Sequence, residues 1–155
     1  LPRFSRTAGA ALLQVSSDQQ LWVVCVHLHP GDVELRAREG TLLWERLQGL
    51  LPFCENAVVL GDFNCEVDEP VHGHLRDSGF VNAMAAAGGG LQLTMDTADI
   101  HDWKIDHIYL SSGLGSRLTS AAIIRDVGFR TDPPRPEGAW DHSDHLPVQA
   151  DLDWP

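Results

Sequence analysis

A run of four apolar residues at 57–60 is followed at once by Gly61-Asp62-Phe63-Asn64. A short run that is apolar at every position is typical of a strand buried in the middle of a sheet. Gly61 then lets the backbone turn, so that Asp62 and Asn64 lie at the end of that strand. This feature predicts a domain built around a central buried strand with polar side chains held rigidly at its end.

Three more polar stretches lie beside apolar runs that are typical of strands: Val26-His27-Leu28, Ile105-Asp106-His107-Ile108 and Ser143-Asp144-His145. Together, the four stretches supply carboxylates, an amide and imidazoles. A hard divalent cation and a phosphate ester require this set of groups. The functional interpretation depends on the prediction that these stretches converge in space.

The order of the predicted elements is that of a mixed α/β domain with helices packed on a largely antiparallel sheet. The length of 155 residues favours one domain over 1–155. Asp32 is predicted to cap the first helix, and its charged residues, Arg36 and Glu39 among them, are predicted to face water. The predicted strands cover 8–15, 21–28, 57–60, 103–110, 121–127 and 146–152, the predicted helices 35–51 and 72–78, and an extended loop 131–138.

Composition limits the classes of partner. The net charge of −11, from 11 Lys+Arg and 22 Asp+Glu, argues against a broad basic surface for non-specific DNA binding. It does not exclude a nuclease, because acidic groups that hold a divalent cation can turn a negative site toward phosphate. No run reaches transmembrane length, and no secretory signal pattern is present. The three cysteines form no disulfide framework, which favours an intracellular location, and Cys25 is predicted to be buried.

Each polar stretch also has a structural interpretation. Asp62 and Asn64 can form a turn that caps its own backbone, His27 can be a structural strand residue, and Asp106 can face the surface. In the functional interpretation, Asp62 and Asn64 point the same way because they are two apart in an extended segment. Asp106 then partners His145 and raises the pKa of its imidazole.

Two other kinds of site receive less support. Eight histidines raise the question of zinc, but their pairs lack the companions of a closed structural site. A serine hydrolase at Ser143 is disfavoured because adjacent residues of a turn seldom face one another as a triad requires. His72, His74 and His101 are predicted to be exposed to solvent.

In order and spacing, these residues resemble the endonuclease/exonuclease/phosphatase superfamily, whose fold is called DNase I-like. The resemblance rests on the strand that ends in His27-Leu28, on Gly61-Asp62-Phe63-Asn64, on Ile105-Asp106-His107-Ile108, and on residues 143–148. It implies a four-layered α/β sandwich of two mostly antiparallel sheets flanked by helices. It also implies a Mg²⁺-dependent phosphodiester hydrolase, with Mn²⁺ as a substitute, that acts by water attack on phosphorus. An endonuclease acting on nucleic acid is the first expectation.

The resemblance also assigns roles. His27 would contact the scissile phosphate, Asp62 would position and activate the attacking water, and Asn64 would bind the phosphate and hold Asp62. Asp106 would orient His145, which would stabilise the pentacovalent phosphate.

The expected metal ligands are Asp144 and Asp62, but the superfamily's principal Mg²⁺ ligand, a Glu, cannot be placed. That Glu and an early Asn precede the matched motifs, and Cys25 stands where many members have another Asn. The chain is therefore expected to be the C-terminal portion of a longer domain, completed by an N-terminal segment. Without that segment we expect a poor catalyst, since Mg²⁺ needs charged oxygen ligands.

Two alternatives remain open at this point. One is a phosphomonoesterase or lipid phosphodiesterase of the same fold, acting on inositol phosphates or sphingomyelin. The other is a catalytically inactive remnant or binding module that keeps the fold.

Overall fold

The computed structural model describes residues 4–96, 102–125 and 143–154. The predicted loop over 131–138, residues 126–127 of a predicted strand, and His101 lie outside these ranges. No helix within them is long and apolar enough to cross a bilayer. The elements are β1 Thr7–Gln14, β2 Gln20–His27, α1 Val33–Leu50, β3 Ala57–Asp62, α2 Pro70–Asp77, β4 Val81–Asn82, α3 Ala83–Ala87, β5 Met95–Asp96, β6 Asp102–Trp103, β7 Asp106–Leu110, α4 Ser112–Gly115, β8 Leu118–Ile123 and β9 Val148–Leu152.

The main sheet has five strands in the order β1-β2-β3-β7-β4, which places β3 at its centre. Strands β2 and β3 are parallel, and the other neighbours are antiparallel. The first three residues of β3 are buried, as the apolar run at 57–60 predicts. Because β1 and β2 are joined by a short turn, they form the antiparallel pair that the sequence predicts.

The two faces of this sheet are covered differently. Helices α1 and α2 pack on one face, where Leu47 and Leu75 meet Val59 in one hydrophobic cluster. The antiparallel pair β8–β9 and helix α3 pack on the other face, where Val58 and Leu110 belong to a second cluster. The predicted α/β sandwich class is confirmed, and its second sheet consists of β8 and β9 in the part of the chain that the structure describes.

Helix α1 begins as predicted and is more embedded than predicted. The Asp32 carboxylate accepts from the backbone N–H of Leu35 at 3.0 Å and caps the helix. Arg36 and Glu39 are buried, so the prediction that they face water is wrong. Arg36 makes a two-pronged contact with Glu69 at 2.6 and 2.9 Å, and buried charges are tolerated when they are paired in this way.

Glu39 ties two neighbouring segments to α1. Its carboxylate accepts from the N–H of Ser5 at 2.6 Å and from the N–H of His29 at 2.9 Å. The loop that follows β2 is therefore held from within the protein. The sequence pattern could not reveal this, because both partners come from other segments.

Three further features differ from the sequence predictions. The predicted strand over 103–110 is divided between β6 and β7, and β4 and α3 were not predicted. Cys25 is exposed, so the prediction that it is buried is wrong. It lies opposite Leu60 in the register of β2 and β3, on the face that β8 and β9 cover only in part.

Candidate active site

Three of the predicted site residues lie side by side across the main sheet. His27 is paired with Asp62 in the register of β2 and β3, and Asp62 is paired with Asp106 in the register of β3 and β7. Paired residues project to the same face of a sheet, and in an antiparallel pair such as Asp62 and Asp106 their Cβ atoms lie about 4.5–5.5 Å apart. The strand ends thus form a row of one imidazole and two carboxylates. We call the face that carries this row the site face.

The end of β3 and the turn that follows it contain two unusual backbone conformations. Gly61 has a φ of 130°, and a Cβ atom there would lie 2.0 Å from the carbonyl oxygen of Val26. Asn64 has a φ of 52°, a left-handed conformation that asparagine tolerates better than most residues. Phe63 is fully buried, as predicted. Because Asn64 is left-handed, the predicted extended geometry of this turn is wrong.

Asp62 and Asn64 nevertheless contact each other directly. The backbone N–H of Asn64 donates to Oδ1 of Asp62 at 2.7 Å, and its side-chain amide donates to Oδ2 at 3.1 Å. The same amide donates to the carbonyl of Leu28 at 2.9 Å, which uses its second hydrogen. The capping turn of the structural interpretation is therefore present. With both amide hydrogens engaged, Asn64 holds Asp62 and keeps only its oxygen available to a ligand.

Asp106 and His145 form a hydrogen-bonded pair. Nδ1 of His145 donates to Oδ2 of Asp106 at 2.9 Å, and the two side chains are 29% and 18% exposed. The bond from Asp106 raises the pKa of His145, and burial opposes this rise. Since Nδ1 is occupied, Nε2 is the ring atom left to meet a ligand.

Asp62 sits between this pair and His27. Its Oδ2 lies 3.6 Å from Nε2 of His27, whose side chain is 47% exposed against 17% for Asp62. Burial raises the pKa of Asp62; the backbone N–H of Asn64 lowers it, and the Asp106 carboxylate raises it further. Asp62 is thus a stronger base than an exposed aspartate, next to a histidine that is open to solvent.

A divalent cation fits part of this site. Asp62, Asp106 and His145 each offer a ligand atom, and these atoms lie within 4.8 Å of one another. The two carboxylates suit a hard cation, whose charge would relieve the repulsion that raises the Asp62 pKa. Asp144 is exposed and does not belong to this group. The structure therefore brings together His27, Asp62, Asn64, Asp106 and His145, and sets Asp144 apart.

A buried cluster under the turn was missed by the sequence analysis. His72 is 1% exposed, so the prediction that it faces solvent is wrong, while His74 is half-buried. The ring of His72 stacks on Phe63 at 5.0 Å, and its Nδ1 lies 2.8 Å from the hydroxyl of Tyr109. Burial lowers the pKa of His72 to about 3. The three-residue spacing from His72 to Leu75 could have indicated that His72 is buried, since residues three apart share one face of a helix and both face the core from α2.

No protein-family model and no curated protein matches this sequence. Solved structures match it closely in shape. A functionally unknown conserved protein from Enterococcus faecalis has a TM-score of 0.70 at 22% identity. The 3′-5′ exonuclease NExo from Neisseria meningitidis has 0.69 at 18% identity, and an endonuclease/exonuclease/phosphatase family protein from Bacteroides thetaiotaomicron has 0.69 at 17% identity. This chain has the endonuclease/exonuclease/phosphatase fold.

The aligned region covers most of this chain and a smaller share of each neighbouring structure. The three structures cover 94%, 96% and 88% of this chain, in the same order. This chain in turn spans 55%, 72% and 51% of their lengths. This chain thus spans between about half and three quarters of the lengths of these neighbours.

Proposed function

We propose that this chain carries the reacting groups of a metal-dependent phosphodiester hydrolase, with an endonuclease as the first candidate. The observation that carries the proposal is the position of Asp62. Its half-buried carboxylate lies in one row with His27 and Asp106, and Asp106 holds His145. A base, a solvent-open imidazole and an oriented imidazole within one site are the groups that water attack on phosphorus needs.

Each side chain has a distinct part in the proposed reaction. Asp62 takes the proton of the attacking water, and its raised pKa makes it a stronger base. His27 contacts a non-bridging oxygen of the phosphate. His145, whose pKa the hydrogen bond to Asp106 raises, turns Nε2 toward the phosphate and balances the charge that develops on the pentacovalent phosphorus. Asn64 keeps Asp62 in place.

Asp62 and Asp106 are the residues that would hold the divalent cation, Mg²⁺ or Mn²⁺. When bound, such an ion stabilises negative charge on the phosphate oxygens as a Lewis acid. Asp144 is a further proposed ligand, since its exposed side chain is adjacent to His145 in the chain.

We also propose that a further segment completes the site. Among the described residues, an apolar cleft of about 310 Å³ lies beside His145 on the site face, and its lining includes Leu60, Ile108 and Val148. Apolar surface next to a reacting centre favours a cover of protein. A strand that lay there with a carboxylate would complete both the core and the metal ligands, and the isolated chain is then a poor catalyst.

A phosphomonoesterase or lipid phosphodiesterase is the second candidate. The net charge of −11 favours a small substrate or a lipid headgroup over a long polyanion. Other structures of this fold include a 3′ phosphatase from Neisseria bound to a product DNA hairpin and a mannosyl-6-phosphatase from Bacteroides thetaiotaomicron.

The deciding experiment measures hydrolysis by this chain alone and by a longer form that includes the natural upstream sequence. The substrates are bis-p-nitrophenyl phosphate, plasmid DNA, an inositol polyphosphate and sphingomyelin, each with Mg²⁺ or Mn²⁺. We expect turnover by the longer form that D62A or H145A lowers by several orders of magnitude. Robust turnover by the short chain would contradict the need for a further segment. Absence of turnover on all substrates by the longer form would favour the inactive binding module instead.

A further inference from the structure

Thr94 is a buried residue that contacts the Asp106 strand and the His145 segment at once. Its side chain lies almost entirely out of solvent, at 2% exposure. Its hydroxyl oxygen accepts from the backbone N–H of Ile105 and from that of Asp106, each at 3.1 Å. The hydroxyl therefore holds the main chain at the first residue of β7.

The main chain of Thr94 completes the connection. Its carbonyl accepts from the N–H of Leu146 at 2.7 Å, and its N–H donates to the carbonyl of Trp103 at 2.9 Å. The next residue, Met95, forms a β-bridge with His145. One residue thus bonds to the backbones on both sides of the Asp106–His145 hydrogen bond.

This arrangement matters because the Asp106–His145 bond joins two separate segments. A hydrogen bond of 2.9 Å weakens steeply once its partners move apart or tilt. Groups that react must be held to within about 0.5 Å by their surroundings. Strand β7 is fixed by β3, and the bonds of Thr94 tie the His145 segment to the start of β7.

We propose that Thr94 is a positioning residue that sets the geometry of the Asp106–His145 pair through its hydroxyl. The proposal rests on the proposed function only for the catalytic role of this pair. The geometry of the pair can be tested without measuring activity. Removing the hydroxyl leaves two buried backbone N–H groups without their acceptor, which lets the start of β7 shift.

The test compares T94V, which keeps the shape but loses the acceptor, with T94S, which keeps the acceptor but loses the methyl group. T119V is the matched control, because the Thr119 hydroxyl also bonds to main chain, at the carbonyl of Asp151, away from the site. The measurement is the imidazole ¹⁵N spectrum of His145 in the full 155-residue chain, together with the thermal midpoint of each variant.

We expect T94V to lose the resonance of the hydrogen-bonded Nδ1–H of His145, while T94S and T119V retain it. A folded T94V with an unchanged His145 spectrum would overturn the proposal. If T94V does not fold, the T94S variant provides the test. A wild-type His145 spectrum together with slow amide exchange at Asp106 would support the positioning role of the Thr94 hydroxyl. An altered His145 spectrum would overturn the proposal. A longer form that hydrolyses none of the substrates would contradict the proposed function and leave this readout intact.

Discussion

The carboxylate of Asp106 accepts a hydrogen bond from Nδ1 of His145 at 2.9 Å, although 39 positions of the chain separate the two residues. The same Asp106 lies opposite Asp62 in the sheet register. Asp106 is therefore the neighbour of Asp62, the proposed base, and of His145, whose imidazole is proposed to face the phosphate.

The first prediction concerns D106N in the longer, active form. The amide keeps the shape but removes the negative charge that raises the pKa of His145. His145 then loses its proton at lower pH, so the alkaline limb of the pH–rate profile moves to lower pH. We expect kcat to fall by about 10²–10³-fold, the usual cost of losing one group that stabilises charge in the transition state. D77N, a change in an exposed surface ion pair, is the control. An unmoved alkaline limb in D106N would argue against the pair.

The second prediction concerns Asn64. In N64A, the carbonyl of Leu28 loses its donor and Asp62 loses one of its two bonds, while the left-handed backbone remains strained. We expect a stability loss of about 1–3 kcal/mol together with weaker catalysis. N64G separates the two effects, because glycine relieves the backbone strain without restoring the amide. Equal stability of N64A and N64G in urea denaturation would show that the left-handed conformation costs nothing.

The third prediction concerns Gly61. A methyl group at this position would collide with the carbonyl oxygen of Val26, and alanine resists a φ of 130°. We expect G61A to lose more than about 4 kcal/mol or to fail to fold, which is an exceptional cost for one methyl group. G9A is the control, because a Cβ at Gly9 meets nothing within 4 Å. Similar urea midpoints for G61A and G9A would contradict this reading of the turn.

The fourth prediction concerns acid stability. The folded-state pKa of His72 is lowered to about 3, whereas the unfolded chain binds that proton near the ordinary value of 6.5. His72 therefore costs stability as the pH falls below 6.5, by up to about 1.4 kcal/mol per pH unit. His145 acts in the opposite sense, because its raised pKa stabilises the fold below 6.5 and this stability is lost as the pH rises through that pKa.

The H72Q variant tests the loss of stability that His72 causes at low pH. The glutamine does not titrate, so the difference in unfolding free energy between pH 8 and pH 5 should be smaller for H72Q than for the wild type. Its packing loss is read separately, as the difference between the two proteins at pH 8. Parallel pH profiles from urea denaturation would show that His72 titrates normally.

The sequence predicts the parts of this fold that depend on neighbours in the chain. The apolar run at 57–60 indicates β3 because burial on both faces needs no polar alternation, and Asp32 caps α1 through a bond only three residues long. The sequence also identifies the polar residues at strand ends as candidate site residues, because an aspartate such as Asp106 in an apolar strand needs a partner.

Features that depend on distant segments could not be predicted. The sequence pattern places Arg36 and Glu39 on the exposed side of a helix. In the fold, Glu69 pairs with Arg36, and the N–H of Ser5 donates to Glu39. The left-handed backbone of Asn64 follows from its bonds to Leu28 and Asp62, which local propensity does not contain. His72 is buried because Phe63 and Tyr109 meet it from the sheet.

A titration with Mn²⁺, followed by NMR of the histidine rings in the longer form that includes the upstream sequence, tests the proposed cation site. If Asp62 and Asp106 hold a divalent cation beside His145, substoichiometric Mn²⁺ broadens the His145 ring signals first, and excess Mg²⁺ restores them. The D62N/D106N double variant should abolish the effect. Broadening of His145 that is equal in the wild type and in this variant, or absent from both, would contradict the account.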